Sequence, residues 1–125
     1  MLAIRNDQIA ALERARLVMF EDKMIDHMRR VYPDWIGQVT PEDLRAFVRH
    51  GMERARVYGF ETELEIARYL HVMHDLGRDF DESRQHPWAA ALLNDAQLTA
   101  AEKMDRLRDA AYYQVEARKL AHVTR

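Results

Sequence analysis

Two histidines and an aspartate stand close together in the segment HVMHDLGRDFD, which covers residues 71–81. His71 and His74 are three residues apart, so a helix carries both on the same side, with Asp75 one step round. A divalent metal held by such groups would acidify a bound water molecule for the hydrolysis of a phosphate ester. The spacing therefore raises the question of a metal site.

The His-Asp-Leu-Gly string at residues 74–77 resembles the helical metal site of the HD class of metal-dependent phosphohydrolases. That class implies an earlier histidine, for which His50 is available, and late carboxylates, for which Asp105 or Asp109 is available. The alternative is that the imidazoles complement the negative end of a helix dipole in its last turn. No motif places a lysine or arginine to hold a phosphate. The sequence favours the helix terminus, and we expect neither a metal nor another cofactor.

Other catalytic chemistry has little support in the residue types of this chain. Among its 125 residues there is no cysteine, which excludes a thiol nucleophile, a disulfide and a cysteine-based zinc site. Ser83 is the one serine, and although His86 follows three residues later, no nucleophile elbow or oxyanion hole accompanies it. No glycine-rich phosphate loop is present. We therefore expect a protein that is not an enzyme.

Charge and hydropathy restrict the partners of this chain. The formal net charge of −2 gives no overall field to attract nucleic acid or anionic lipid, although the run that ends at Arg125 is locally basic. No apolar stretch approaches the ~20 residues that cross a bilayer. The first residues, MLAIRNDQ, turn polar too soon for a signal peptide. We expect a cytoplasmic protein that binds neither nucleic acid nor a membrane.

Capping residues, prolines and glycines divide the chain into helices. A long first helix is expected from a cap at Asn6 or Asp7 to the residue before Tyr32-Pro33. Later helices are expected between these signals: Thr40-Pro41 to Gly59, Thr62 to Gly77, Pro87 to Leu93, and from Thr99 onwards. No segment alternates with period two for long enough to form a strand. The sequence thus predicts an all-α fold, a single compact bundle of about five helices in one domain over residues 1–125.

Apolar side chains recur every three to five residues along the predicted helices, as expected of a core-facing stripe. In the first helix the expected inner positions are Ile9, Leu12, Leu17, Phe20, Met24, Met28 and Val31. Val18 and Ile25 fall outside this stripe, and the helix is longer than one small core can cover. Its outer surface is therefore a second candidate for contact with another protein, and it permits a homodimer.

The segment from Gly77 to Trp88 places two aromatic side chains in a polar, acidic connection. Phe80 and Trp88 either fold back to seal the helix ends or anchor a protein partner, and Trp35 in an earlier loop has the same two interpretations. The predicted partner-binding residues are Trp35, Asp79, Phe80, Asp81, Glu82 and Trp88. The carboxylates among them would set the orientation of the partner at the rim of the interface.

Several short motifs follow one another in an order that covers nearly the whole chain. They are IRNDQ at residues 4–8, FEDKM at 20–24, RARVYG at 54–59, ELEIARYL at 63–70, LG at 76–77, DFD at 79–81, PWA at 87–89 and KMD at 103–105. This order resembles a family of small helical proteins encoded beside spike, effector and adaptor genes in bacterial type VI secretion clusters.

The resemblance implies an accessory or co-chaperone-like protein that helps an adaptor present an effector to the secreted spike. The expected partner is then a secretion effector, an adaptor chaperone or a spike component. No catalytic residues are carried over, and the family does not typically have His-Asp at the position of His74 and Asp75. Two alternatives stay open: an immunity protein that neutralises a cognate toxin, and an HD-like metal-dependent phosphohydrolase.

Overall fold

The computed structural model describes residues 5–123. Ile4, in the first of the family-like motifs, and Arg125, at the end of the basic run, lie outside the described residues. The described part of the chain contains helices and no strand, which confirms the predicted all-α fold and its long N-terminal helix. None of the described helices is both long and apolar enough to cross a membrane.

Six α-helices and one 3₁₀ turn make up the described part of the chain. They are α1 (Asn6–Val31), α2 (Pro33–Ile36), α3 (Pro41–Val57), α4 (Glu63–Leu76), the 3₁₀ turn (Phe80–Glu82), α5 (Pro87–Leu93) and α6 (Ala100–Val123). The chain divides into two compact units, and the boundary falls inside α3, between Arg49 and His50. The single domain over residues 1–125 stays a prediction.

Local signals explain where the helices begin and end. Thr62 accepts a hydrogen bond from the Glu65 backbone at 3.1 Å, while the Glu65 carboxylate accepts one from the Thr62 backbone at 3.1 Å, which completes the predicted capping box of α4. Gly77 ends α4 with φ of 115°, a conformation that side chains with a Cβ rarely adopt. Thr99 and Glu102 form the equivalent box at the start of α6.

Two local predictions need correction. The cap of α1 is neither Asn6 nor Asp7: the helix begins at Asn6, and the preceding Arg5 donates its backbone N–H to Gln8 Oε1 at 3.1 Å. The loop predicted around Trp35 contains a four-residue helix, α2, because Pro33 supplies the backbone angle of a first helical position.

Ionic contacts join α1 to the first half of α3 within the first unit. Glu21 is 6% exposed and accepts hydrogen bonds from Arg45 Nη1 and Arg49 Nε, both at 2.8 Å. Arg45 also donates to Asp22, and this hydrogen bond is the main reason why the pKa of Arg45 is raised. One buried carboxylate therefore holds two arginines from successive turns of α3.

The burial along α1 differs from the predicted stripe. Its buried residues are Glu21, Met24, Ile25 and Met28. Ile25 was expected outside the stripe but is buried, whereas Ile9, Leu12 and Leu17 were expected inside and are exposed. Helical spacing identifies an apolar face, but it does not show how far along the helix that face is covered.

An aromatic cluster forms the core of the second unit. The Tyr69 ring lies 6.3 Å from that of Tyr58, 6.0 Å from that of Phe60 and 5.2 Å from that of Phe80, measured between centroids. α4 packs against α6, and α5 packs against both the 3₁₀ turn and α6. These contacts bury Phe80, Asp81 and His86 of the connection between α4 and α5, while most of its other residues stay exposed.

Gly51 allows α3 and α4 to approach closely in this unit. A Cβ added to Gly51 would lie 2.8 Å from Met73 Sδ and closer still to the Leu70 side chain. Both of those side chains are buried, at 1% and 0% exposure for Met73 and Leu70 respectively. The glycine is therefore required by packing, not by backbone conformation.

Candidate functional site

Two histidines considered for the HD-like metal site, His74 and His50, contact different carboxylates. His74 Nδ1 lies 3.0 Å from Oδ1 of the adjacent Asp75. His50 Nε2 lies 2.9 Å from Asp79 Oδ1, although the ring N–H is not aligned for a hydrogen bond. Within residues 5–123, no three histidine or carboxylate side chains are grouped so that they could hold a metal ion. The geometry gives the HD-like alternative no support.

The end of α4 is stabilised from another helix. Arg118 on α6 donates a hydrogen bond from Nη1 to the carbonyl oxygen of Asp75 at 3.1 Å. Because the last carbonyls of a helix lack backbone partners and carry negative partial charge, a cation there satisfies both needs. Arg118, which belongs to the basic C-terminal run, thus stabilises the end of α4 within the second unit.

Phe80 and Asp81 are buried, which corrects their assignment to a partner-binding surface. Phe80 is 1% exposed and packs on Tyr69, so the first of its two interpretations, sealing the helix ends, is the one that its burial fits. Asp81 is 2% exposed. Side chains with so little exposed area can contribute almost nothing directly to contact with another chain.

Asp81 is the acceptor of a buried polar cluster. Its Oδ2 atom accepts hydrogen bonds from the Tyr58 hydroxyl at 2.7 Å and from Arg54 Nε at 2.8 Å. Arg54 Nη2 donates to the Tyr58 hydroxyl at 2.8 Å and to the Glu82 carboxylate at 3.0 Å. The cluster joins the 3₁₀ turn to the last turn of α3. These buried hydrogen bonds therefore fix the position of the acidic connection.

Burial and hydrogen bonding shift the titration of this cluster. The hydrogen bond to Asp81 is the largest of the effects that raise the pKa of Arg54. Burial, followed by the hydrogen bond to Asp81, raises the pKa of Tyr58 to about 12. Burial likewise raises the pKa of Tyr69. Arginine and tyrosine keep their protons at neutral pH in any case, and these effects make loss of the proton harder still.

The two tryptophans are half-buried, each within its own unit. Trp35 packs edge-on against Phe47, with ring centroids 5.0 Å apart. The centroid of the Trp88 ring lies 6.0 Å from that of the buried His86 ring. Of the predicted acidic rim, Asp79 and Glu82 have side chains that are 67% and 68% exposed. A role for Trp35, Trp88, Asp79 and Glu82 in partner binding stays a prediction.

The outward side of α6 carries exposed apolar groups that the sequence did not single out. Tyr112, Tyr113 and Leu120 are 64%, 72% and 65% exposed. The two tyrosine rings meet edge to face, with centroids 6.1 Å apart. Helical spacing could have predicted this exposure. The buried stripe of Met104, Leu107 and Ala111 leaves positions 112 and 113 outside the buried face of the helix.

Carboxylates and basic side chains both flank this aromatic pair. Asp105, Arg108, Asp109 and Tyr112 line one surface depression on α6. Asp105 and Asp109 are exposed, and Glu116 one turn beyond accepts a hydrogen bond from Lys119 at 3.2 Å. We call Tyr112, Tyr113 and Leu120, together with Asp105, Asp109 and Glu116, the tyrosine face of α6. Because Arg108 and Lys119 stand beside these carboxylates, the face suits a polypeptide with apolar side chains and charges of both signs.

Comparisons of the chain with protein-family models, with curated proteins and with solved structures give no match.

Proposed function

We propose that this chain is a non-enzymatic accessory protein of the bacterial cytoplasm that binds a type VI secretion effector, or the adaptor of that effector, for loading onto the spike. The order of sequence motifs described above supports the secretion setting. The observation that carries partner binding is the tyrosine face of α6, where two adjacent tyrosines are 64% and 72% exposed. No metal or other cofactor is needed for this function.

Tyrosine suits an anchoring role for physical reasons. It presents a large apolar ring with few rotatable bonds, so its immobilisation in an interface costs little conformational entropy. Its hydroxyl stays compatible with water when no partner is present. Two such rings in edge-to-face contact restrict each other before binding, and aromatic anchors of this kind supply much of the affinity of protein interfaces.

The carboxylates of the tyrosine face would orient the partner. Asp105 and Asp109 are exposed and stand one helical turn apart, beside Tyr112. Exposed charges at the rim of an interface mainly accelerate association and reject partners of like charge. We therefore expect the bound surface to carry charges of both signs around an apolar patch, with lysine or arginine opposite Asp105 and Asp109.

The test is co-purification with the products of neighbouring genes at micromolar concentration and low salt. Tyr112→Ala with Tyr113→Ala should weaken binding by about 100-fold, since two anchor residues of this type each contribute about 1–2 kcal/mol. Leu64→Ala is the matched control, because Leu64 on α4 is also exposed, at 58%, but lies outside the tyrosine face. Equal binding by wild type and the tyrosine variant would exclude this surface.

A second candidate, an immunity protein, is favoured by the carboxylates beside the tyrosines. Asp105 and Asp109 on this surface could contact the basic active site of a toxin that attacks nucleic acid. Expression of the toxin alone, with and without this chain, separates the two functions. If this chain restores the growth of cells that express the toxin, and the Asp105→Asn, Asp109→Asn double variant does not, the result would favour the immunity protein. If loss of this chain stops secretion of the effector but causes no toxicity, the result would favour the accessory role.

A further inference from the structure

His86 is a buried residue whose ring nitrogens have no hydrogen bond from the described part of the chain. The residue is 4% exposed, and within residues 5–123 neither Nδ1 nor Nε2 has a hydrogen-bond partner. A neutral imidazole contains one donor and one acceptor, so these residues satisfy neither. Tyr69 and His50 each have one such atom, the hydroxyl oxygen and Nε2 respectively. Among the described residues, only His86 has two.

Trp88 adds a third unpaired atom to the same segment. Its indole Nε1 atom is buried and has no hydrogen-bond partner among the described residues, although other parts of the side chain reach the surface. The ring meets the His86 ring edge-on. A buried donor or acceptor without a partner has lost the hydrogen bonds that it makes to water in an open chain. Three polar atoms therefore oppose the packed position of this segment.

The helix that carries Trp88 buries few side chains that could offset this effect. α5 contains seven residues, of which Ala89 and Leu93 are buried. No side-chain hydrogen bond from the described residues caps its N-terminus. α4, by contrast, contains fourteen residues, of which seven are buried. Because burial of apolar area sets much of the free energy of local opening, α5 should open far more readily than α4.

The connections on both sides of α5 allow it to move separately. Residues 84–85 before the helix and residues 96–97 after it are exposed. The turns there have short-range hydrogen bonds, such as the one from the His86 N–H to the Ser83 carbonyl oxygen at 3.2 Å. The preceding 3₁₀ turn is fixed to α3, since Asp81 accepts hydrogen bonds from Tyr58 and Arg54. Opening of α5 therefore has a natural boundary at Ser83.

We propose that residues 83–99, with α5 at their centre, open as a unit while α4 and the rest of the second unit stay folded. Opening returns the polar atoms of His86 and Trp88 to hydrogen bonds with water. It also uncovers Leu93 and the part of α6 against which α5 packs. The second unit thus contains a conformational gate with a tryptophan on its moving part. The gate does not rest on the proposed function, because it concerns α5 and not the tyrosine face of α6.

Native-state hydrogen exchange of the full chain at pH 7 tests the gate. The amides of residues 91–94 donate hydrogen bonds within α5 or at its end. After correction for intrinsic rates, they should exchange about 100-fold faster than the slowest amides of α4. Their exchange should also depend less steeply on urea, because a local opening exposes little new surface. Equal protection of the two helices, or equal urea dependence, would overturn the proposal.

Replacement of His86 tests the physical cause of the opening. Leucine is close to histidine in volume but has no polar side-chain atom, so His86→Leu should slow exchange at residues 91–94 by about tenfold and leave α4 unchanged. His122→Leu, at an exposed position near the end of α6, is the matched control and should alter neither helix. Unchanged or faster exchange of α5 in His86→Leu would contradict the proposal. If that variant does not fold, the wild-type comparison of α5 with α4 decides alone.

Discussion

Asp79 and Asp81 show that the same residue type can be exposed at one position and buried two positions later. Asp79 and Asp81 are two positions apart in an acidic connection, and the sequence assigned both to a partner-binding rim. The structure leaves Asp79 exposed and places Asp81 beneath the turn, hydrogen-bonded to Tyr58 and Arg54. Burial of a carboxylate depends on distant donors, which no local pattern around residue 81 could have identified.

Removal of this carboxylate should be costly. Asp81→Ala leaves Arg54 and Tyr58 without their shared acceptor, and we expect the free energy of unfolding to fall by about 3 kcal/mol, the low end for a broken buried pair. The low end applies because the Arg54 side chain is 26% exposed and reaches water. Asp79→Ala should change stability by less than about 0.5 kcal/mol. Urea denaturation of both variants makes the comparison, and similar losses would contradict it.

The raised pKa of Tyr58 predicts a loss of stability in alkali. Its pKa is about 12 in the folded chain, against 10.0 for an unperturbed tyrosine. Between these values the unfolded chain has lost the proton and the folded chain retains it, so the free energy of unfolding falls as pH rises. The contribution is complete below pH 10 and lost by about pH 12.

Tyr58→Phe provides the test of this pH dependence. The variant should be less stable than wild type at pH 8, because Asp81 loses a hydrogen bond, but its stability should fall less steeply between pH 10 and pH 12. Tyr113→Phe, at an exposed position, is the matched control and should leave the slope unchanged. Parallel curves for wild type and Tyr58→Phe would contradict the assignment.

At the scale of elements, the sequence was most informative about helix ends. Thr62, Gly77, Pro87 and Thr99 act through hydrogen bonds or backbone angles within a few residues, so their effect can be predicted without the fold. The positions of the helices relative to one another depend on contacts between distant residues. The Gly51 contact with Leu70 and Met73 is an example, since a glycine inside a helix has no local signature of its partner.

Gly51→Ala should destabilise the contact between α3 and α4. The added methyl group would overlap Leu70 and approach Met73, and overpacking of about 2 kcal/mol exceeds the gain of about 1 kcal/mol in helix propensity. We expect a net loss of about 1 kcal/mol in the free energy of unfolding. At Gly37 the nearest atom to an added Cβ is 3.6 Å away, so Gly37→Ala should be neutral or slightly stabilising. Equal changes in melting temperature for Gly51→Ala and Gly37→Ala would contradict the packing argument.

At the scale of the whole molecule, the apolar pattern predicted the all-α class but not the extent of its core. Periodicity reports which residues share a face, and Ile9, Leu12 and Met24 satisfy it equally well. Only Met24 is buried among these three. The same limit applies to the outward side of α6, where Tyr112 and Tyr113 became candidates only after their exposure was known.

The uneven distribution of methionine has a chemical consequence. Met19 is 70% exposed, whereas the other described methionines are buried: Met24, Met28, Met52, Met73 and Met104. Dilute peroxide should therefore convert Met19 to its sulfoxide well before those five, which peptide mass spectrometry can measure. Met19→Leu should remove this early oxidation product under the same oxidant, so one thioether among the described residues accounts for the first response of the chain to oxidative stress.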